Sequence, residues 1–338
     1  MTLLQRALFI AFAITAAWPS LAAEKVTVGV LRFVSSAPLF IAQERGYFAA
    51  EGLEVEFKFF QAAQPIAVAI ASGDADFGVT AFTSGFFNLA GQGALKVIGA
   101  QSREEPGFDF SAVLASKTAY DHGLKSIEQL KGRTLAITTP GSSFHYMIGA
   151  LGLKRGWPKD AVQLRSLQTP ANMIGALKSS QVDAAILPAF LAKPLIAANE
   201  AHLLGWVHAE IPYQLGGLFT SSKNAKDRRP VVEKFVRAYQ RAAADYSGAL
   251  NARDAQGKRV FGPEADPIIA IIIKYVPNQT PEKVKDAANF IDPQGRLNVG
   301  DIHAQVAYFK SQGIVDQGVD AKTFIDVSFI KGHFNIPK

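Results

Sequence analysis

The stretch from Thr138 to Ala150, TTPGSSFHYMIGA, places Ser142, Ser143, His145 and Tyr146 within five positions. Two chemistries are open to it. A serine and a histidine three apart at a helix start can touch, and a nucleophilic serine needs such a base together with a third group that orients it. The strained turn G-x-S-x-G is not met, because PGSSFHY lacks the second glycine, and no acidic residue stands nearby to orient His145. The other chemistry is binding. Pro140-Gly141 turns the chain, and Ser142 or Ser143 can cap the helix that follows. The free amides of the first turn, about Ser143 to His145, then carry partial positive charge and suit a carboxylate, a sulfonate or a similar anion. A cap that serves only its own helix fits the same residues.

Other residues could share such a site. A second Ser-Ser pair, Ser35-Ser36, precedes Pro38, and Gln61 follows a strand-like run. DFGVTAFTSGFF, from Asp76 to Phe87, offers Thr80 and Thr83 as donors beside Phe82. Pro188 and Phe190 stand at another strand end. With Phe33 and Phe144 these residues could line a largely apolar cleft with a few polar groups, as small-molecule sites usually are, although core packing accounts for any single Phe as well. Arg32 and Arg103 lie at strand ends, where each suits an anion or plain surface. The expected site is therefore Phe33, Ser35, Ser36, Gln61, Thr80, Phe82, Thr83, Ser142, Ser143, Phe144, His145, Pro188 and Phe190, with no catalytic residue. The six histidines form no H-E-x-x-H pair, there is no G-x-x-x-x-G-K-[ST] loop, and cysteine is absent. No metal and no cofactor is expected.

These residues sit at the ends of alternating elements. Strand-like runs cover Lys25–Val30, Leu53–Phe60, Ala75–Val79, Leu95–Ala100, Thr134–Thr138 and Val182–Leu187, and LEVEFKFF alternates strictly, as a half-buried strand does. Helix patterns fall between them at Leu39–Ala50, Pro65–Ser72, Ser126–Leu130 and Ala171–Ser179. Alternation of this kind predicts an α/β fold of mostly parallel sheet. An offset of 107 pairs Ser35 with Ser142, Ser36 with Ser143, Val28 with Leu135, Phe57 with Leu164, Gln61 with Gln168 and Asp76 with Asp183. Either a true repeat or two α/β units of like pattern would produce these matches. After residue 213, YQLGGLFTSS reads as a bent strand, and helices follow at Pro230–Leu250, Ala265–Val276, Pro281–Phe290 and Val299–Ser311.

The chain has 338 residues, 49% hydrophobic and 19% charged, with a formal charge of +6 spread thinly. KDRRP is its densest basic cluster and suits a solvated surface, and no nucleic-acid signature is present. Arg6, the apolar run Ala7–Trp18 and then PSLAAE follow the plan of a cleavable signal peptide, with cleavage expected after Ala22 or Ala23. The run is shorter than the roughly 20 residues that span a bilayer. Lacking cysteine, the product cannot carry a lipid anchor at that site. A soluble, exported, periplasmic monomer is expected.

APLFIAQERGYFAAEGLEVEF, ASGDADFGV, LKGRTLAITTPGSSFHYMIGA and LKSSQVDAAILP, in that order, resemble the substrate-binding proteins of ABC importers for nitrate, sulfonate, taurine and thiamine-precursor pyrimidines. The resemblance runs from about residue 25 to 220. It implies a two-lobed periplasmic-binding-protein type II fold: residues 1–23 as signal peptide, 24–112 with 213–338 as one lobe, 113–212 as the other, and crossings near 110–115 and 210–216. It also implies a small anionic ligand held between closing lobes and an ABC permease as partner. The same fold serves a synthase of the thiamine pyrimidine precursor that uses an active-site histidine and an iron-binding cysteine cluster. Zero cysteine and an export signal count against that alternative. A binding protein that docks on a receptor is a further one, which adjacent ATPase and permease genes would argue against.

Overall fold

The computed structural model describes residues 23–335, so the expected signal peptide lies, but for Ala23, outside the described residues. The chain begins with β1 (Glu24–Leu31), then α1 (Ala37–Glu44), α2 (Tyr47–Ala50), β2 (Leu53–Phe60), α3 (Ala63–Ser72), β3 (Phe77–Ala81), α4 (Ser84–Gly91) and β4 (Leu95–Ala100). It then crosses to β5 (Ser111–Ser116), α5 (Lys117–Asp121), β6 (Thr134–Ile137), α6 (Ser143–Lys154), β7 (Gln163–Ser166), α7 (Pro170–Lys178), β8 (Ala184–Pro188), α8 (Ala189–Ala197) and β9 (Ala201–Trp206). It returns through β10 (Gly216–Ser221) into α9 (Ser222–Asp227), α10 (Arg229–Leu250), α11 (Ala265–Tyr275), α12 (Pro281–Ala287), α13 (Val299–Ser311) and α14 (Ala321–Phe324).

Two five-stranded sheets result, ordered β2-β1-β3-β10-β4 and β7-β6-β8-β5-β9. Each is parallel save for one inserted strand, β10 or β5, which arrives from the other sheet and runs antiparallel. Each sheet with its helices forms one lobe. The first passage between lobes spans 101–110 and the second 207–215, so the first lies ahead of the 110–115 read from the sequence. SAVLAS, the β5 run, is buried throughout and shows no alternation that would mark it as a strand.

The 107-residue offset is a property of the sheets. Val28 pairs with Phe57, and Leu135 with Leu164; Val28 also pairs with Phe77, and Leu135 with Ala184. Even the irregularity recurs, between Leu218 and Phe219 in one inserted strand and between Val113 and Leu114 in the other. Asp76 accepts the Thr27 amide at 2.8 Å, and Asp183 accepts the Thr134 amide at 2.8 Å. The two carboxylates thereby make equivalent contacts, one to β1 and the other to β6.

Local chemistry accounts for most element ends. Gly46, at φ 69°, splits the helix read over 39–50 into α1 and α2, a conformation glycine adopts at little cost. Ser126–Leu130 is a single 3₁₀ turn closed by a Ser126–Gln129 capping box. Thr169 and Thr280 cap α7 and α12, each ahead of a proline in the first turn. The long α10 lies on the first lobe, with Phe235 stacked on Phe77 at 3.9 Å and on Phe48 at 4.9 Å. β2 is an edge strand, which is why Glu54, Glu56 and Lys58 face solvent. Among the described residues no helix is long and apolar enough to cross a membrane.

Candidate functional site

Parallel sheets of this kind present their ligand sites beyond the carboxyl ends of their strands. Here the two sets of strand ends face each other and enclose a cavity of about 280 Å³. In the first lobe the wall comes from Phe33 and Ser35 after β1, Gln61 and Gln64 after β2, Thr80 on β3, Thr83 at the cap of α4, and Gln101 after β4. The second lobe supplies Phe110 and Ser111, Thr138 and Thr139 after β6, Ser142, Ser143, Phe144 and Met147 on α6, Gln168 after β7, and Pro188 and Phe190 after β8. Leu215 on the return passage and Ala287 and Asn289 beyond α12 complete it. No charged side chain is among these lining residues.

The cap geometry shows why the serines point inward. Ser142 is the N-cap of α6, its hydroxyl accepting the His145 amide at 3.4 Å, and the helix start is thereby aimed across the cleft. Thr83 caps α4 in the same way, accepting the Phe86 amide at 3.0 Å and bonding to Gln64. Gln168 stands at φ 70°, an uncommon conformation for a side chain of its size, held by its amide on Thr138 O at 2.8 Å.

Of the residues read from the sequence, Phe33, Ser35, Gln61, Thr80, Thr83, Ser142, Ser143, Phe144, Pro188 and Phe190 line the cavity. Ser36, Phe82 and His145 do not. Ser36 is fully buried under α1. Phe82 turns to the opposite face of its strand end and packs on Phe86 at 5.0 Å and Phe87 at 5.7 Å. His145 turns its ring toward α13, where its Nδ1 accepts the Gly141 amide at 3.0 Å and its ring meets Tyr308 and Phe309. Burial, and to a lesser degree Lys159, hold its pKa below the usual histidine value. A ring so engaged takes no proton from Ser142.

The two arginines are committed elsewhere. Arg32 lies 3.6 Å over the Phe59 ring and donates to Tyr275 O, while Arg103 sits between Phe290 and Phe334 and pairs with Glu105 at 2.9 Å. Among the described residues no cluster of three or more His, Cys, Asp or Glu could hold a metal ion. Gln101, Phe110, Ser111, Leu215 and Asn289 carried no signal in the sequence, because crossings and tail have no pattern of their own. Gln168 did: it is the repeat partner of Gln61.

The lobes touch at the cavity rim. Ser84 N donates to Gly141 O at 2.8 Å, the Phe33 and Phe190 rings meet at 5.2 Å, and Lys193 of α8 pairs with Asp286 of α12 at 2.7 Å. Behind the cavity the two passages run against each other, through Leu215 N to Ser102 O at 3.0 Å and Glu104 N to Tyr213 O at 2.8 Å.

Comparison with protein families matches residues 34–248, more than half of the chain, to the family described as NMT1/THI5 like. The chain belongs to that family. Its architecture of two lobes, two crossings and an inserted antiparallel strand in each sheet is the periplasmic-binding-protein type II fold. Among family-related proteins, one of Brucella abortus (strain 2308) with the provisional name of a binding protein is 28% identical over 167 residues, 49% of this chain and 47% of its own. The chain thus spans about half the length of the curated relatives it matches. The alkanesulfonate-binding protein SsuA of Xanthomonas axonopodis pv. citri, solved bound to MOPS, superposes with a TM-score of 0.71 at 20% identity, covering 91% of this chain and 100% of that one. The periplasmic nitrate-binding protein NrtA of Synechocystis PCC 6803 gives 0.68 at 12% identity, over 89% and 84%.

One buried carboxyl in the first passage sets a pH dependence for this family member. Glu104 is 4% exposed, and burial pushes its pKa from an ordinary 4.5 up to about 8, opposed only partly by Ser111 and the His208 backbone. A carboxyl whose folded pKa is raised binds more protons folded than unfolded, so the contribution of Glu104 to stability is fullest below pH 4.5 and declines as pH rises toward 8. At about 1.4 kcal/mol per unit the loss is a few kcal/mol at most. In Glu104→Gln this decline is expected to vanish, which melting curves at mildly acid and mildly alkaline pH would show. Equal slopes in both proteins would refute it.

Proposed function

We propose that the protein is the periplasmic solute-binding component of an ABC importer, which captures a small organic anion with an apolar, aromatic body and delivers it to a membrane permease without turnover. The observation that carries this reading is the closed cavity itself: capped helix starts and hydroxyls on one side, aromatic rings around them, and lobes in contact at the rim. An anion's charge would be met by neutral donors and by the first-turn amides of α6, which need no basic side chain. Phe110, Phe144, Phe190 and Phe33 would enclose the body of the molecule. The family match and the sulfonate- and nitrate-binding relatives of the same fold support an acid as the ligand. The engagement of His145 with Gly141 and with the tail helix supports binding over catalysis. A monomeric protein exported to the periplasm by its cleaved leader is part of this proposal, as is the division into lobes near 24–112 with 213–338 and 113–212, with β5 (Ser111–Ser116) counted to the second lobe.

Titration calorimetry of the mature protein against sulfonates, carboxylates and pyrimidines tests it. Ser142→Ala combined with Ser143→Ala is expected to weaken the best acid about tenfold, the worth of one or two charge-assisted hydrogen bonds. Unchanged affinity would remove α6 from the anion site, and product formation on long incubation would refute the non-enzymatic reading.

A further inference from the structure

The two lobes line the cavity unequally. Lobe 2, with Phe110 at its entry from the first passage, contributes three of the four aromatic rings, Phe110, Phe144 and Phe190, with Met147 beside them. The first lobe and its helical tail contribute Thr80, Gln101 and Asn289, which are 1%, 2% and 1% exposed. Each of these three carries a side-chain atom that makes no hydrogen bond within the protein: Thr80 Oγ1, Gln101 Oε1 and Asn289 Nδ2. Their other ends are placed. Gln101 Nε2 donates to Ser35 Oγ at 3.3 Å, and the backbone carbonyl of Asn289 accepts from the Tyr246 hydroxyl at 2.9 Å, which fixes the main chain at that residue. They also belong to one side of the cavity, since Thr80 lies on β3 and Gln101 follows β4, the two strands that flank β10, and Arg103 N on Phe290 O at 3.4 Å sets Asn289 beside the first passage.

Buried polar groups are nearly always paired, and one left unpaired costs about 1–3 kcal/mol. A plain alkyl or aryl acid, with its charge at α6 and its body on the rings of lobe 2, would bury all three unpaired. We infer that the ligand is a ring-bearing acid with a second, uncharged hydrogen-bonding substituent, which Thr80, Gln101 and Asn289 read. This rests on the reading of the cavity as an anion site. Threonine, glutamine and asparagine together offer donor and acceptor, so a hydroxyl or a carboxamide satisfies them. A cationic substituent would need a carboxylate, and none lines the cavity. A volume of about 280 Å³ equals about nine waters at ~30 Å³ each, enough for one substituted ring.

The test compares benzoate and benzenesulfonate with their meta- and para-hydroxy and carbamoyl derivatives by calorimetry, on the unaltered mature protein and on Thr80→Val and Gln101→Met, whose shapes are conserved. At least one derivative is expected to bind about tenfold or more tighter than its parent on the unaltered protein, and each variant to shrink that derivative-to-parent ratio to within about threefold. Parents that bind as tightly as every derivative would overturn the inference, as would variants that weaken parent and derivative alike. In both of those cases the anion site stands. If neither parents nor derivatives bind, the anion reading itself falls, and this inference with it.

Discussion

Gly141→Ala is expected to weaken ligand binding by about a hundredfold or more while both lobes stay folded. Gly141 carries the rim contact, its carbonyl accepting the Ser84 amide across the cleft at 2.8 Å. A β-carbon on Gly141 would lie 1.8 Å from Ser84 Oγ and 2.7 Å from Ser84 Cβ. The hydroxyl can swing aside, but the Cβ is fixed to the first turn of α4, so the lobes must part for the methyl to fit. The penalty falls on the closed arrangement alone, and apparent affinity drops by the fraction of molecules that can still close. Gly141 also sits at φ 77°, which costs a side chain roughly 1–2 kcal/mol in either arrangement. Adding Ser84→Gly separates the two effects: the double variant should regain most of the lost affinity and none of the backbone cost. Calorimetry reads the affinity, and small-angle scattering should show the single variant staying extended at saturating ligand. A single variant that binds and compacts like the parent would show that closure does not bring these two residues together.

Asp301→Ala is expected to cost about 3 kcal/mol or more of stability in the ligand-free protein. Asp301, on α13, is fully buried. It accepts the Tyr146 hydroxyl at 3.1 Å, the Gln214 amide at 2.7 Å and Gln305 Nε2 at 2.8 Å. One carboxylate thus joins the helical tail, α6 of the second lobe and the return passage between them. Alanine would remove an acceptor shared by three donors, of which Gln305 Nε2 keeps the Gln214 carbonyl at 2.7 Å, and it would leave the buried Gln214 amide unpaired, a loss of about 1–3 kcal/mol that the other weakened bonds add to. Asp301→Asn should cost less, since the carboxamide still accepts. Chemical denaturation of the three proteins measures this, and equal midpoints would mean that the tail does not depend on the junction.

Much of the fold was legible before any coordinates. LEVEFKFF alternates because an edge strand faces core and solvent in turn, and TTPGSSFHY reads as strand, turn and capped helix because each step is decided by neighbours in sequence. The 107-residue offset held in the register of the parallel strands, because two units of like pattern pair their strands alike. Facing was not legible. Ser36, Phe82 and His145 each stand one residue from a side chain that lines the cavity, and a displacement of one residue turns a side chain to another face of its strand end or helix. The single helix read over 39–50 failed for a similar reason, since one glycine at positive φ outweighs an apolar pattern.

The sequence by itself therefore determined the two α/β units, their capped strand ends and the serines and threonines placed there, because those depend on hydrogen bonds and periodicities a few residues long. Only the tertiary structure decided that Gln101, Phe110 and Asn289 line the cavity and that Asp301 joins the tail to α6 and the return passage. Gln101 and Phe110 come from the first passage and Asn289 and Asp301 from the helical tail, and nothing local holds them. Their positions follow from which lobe the returning chain packs against, a matter of long-range burial that no short stretch of the chain can encode.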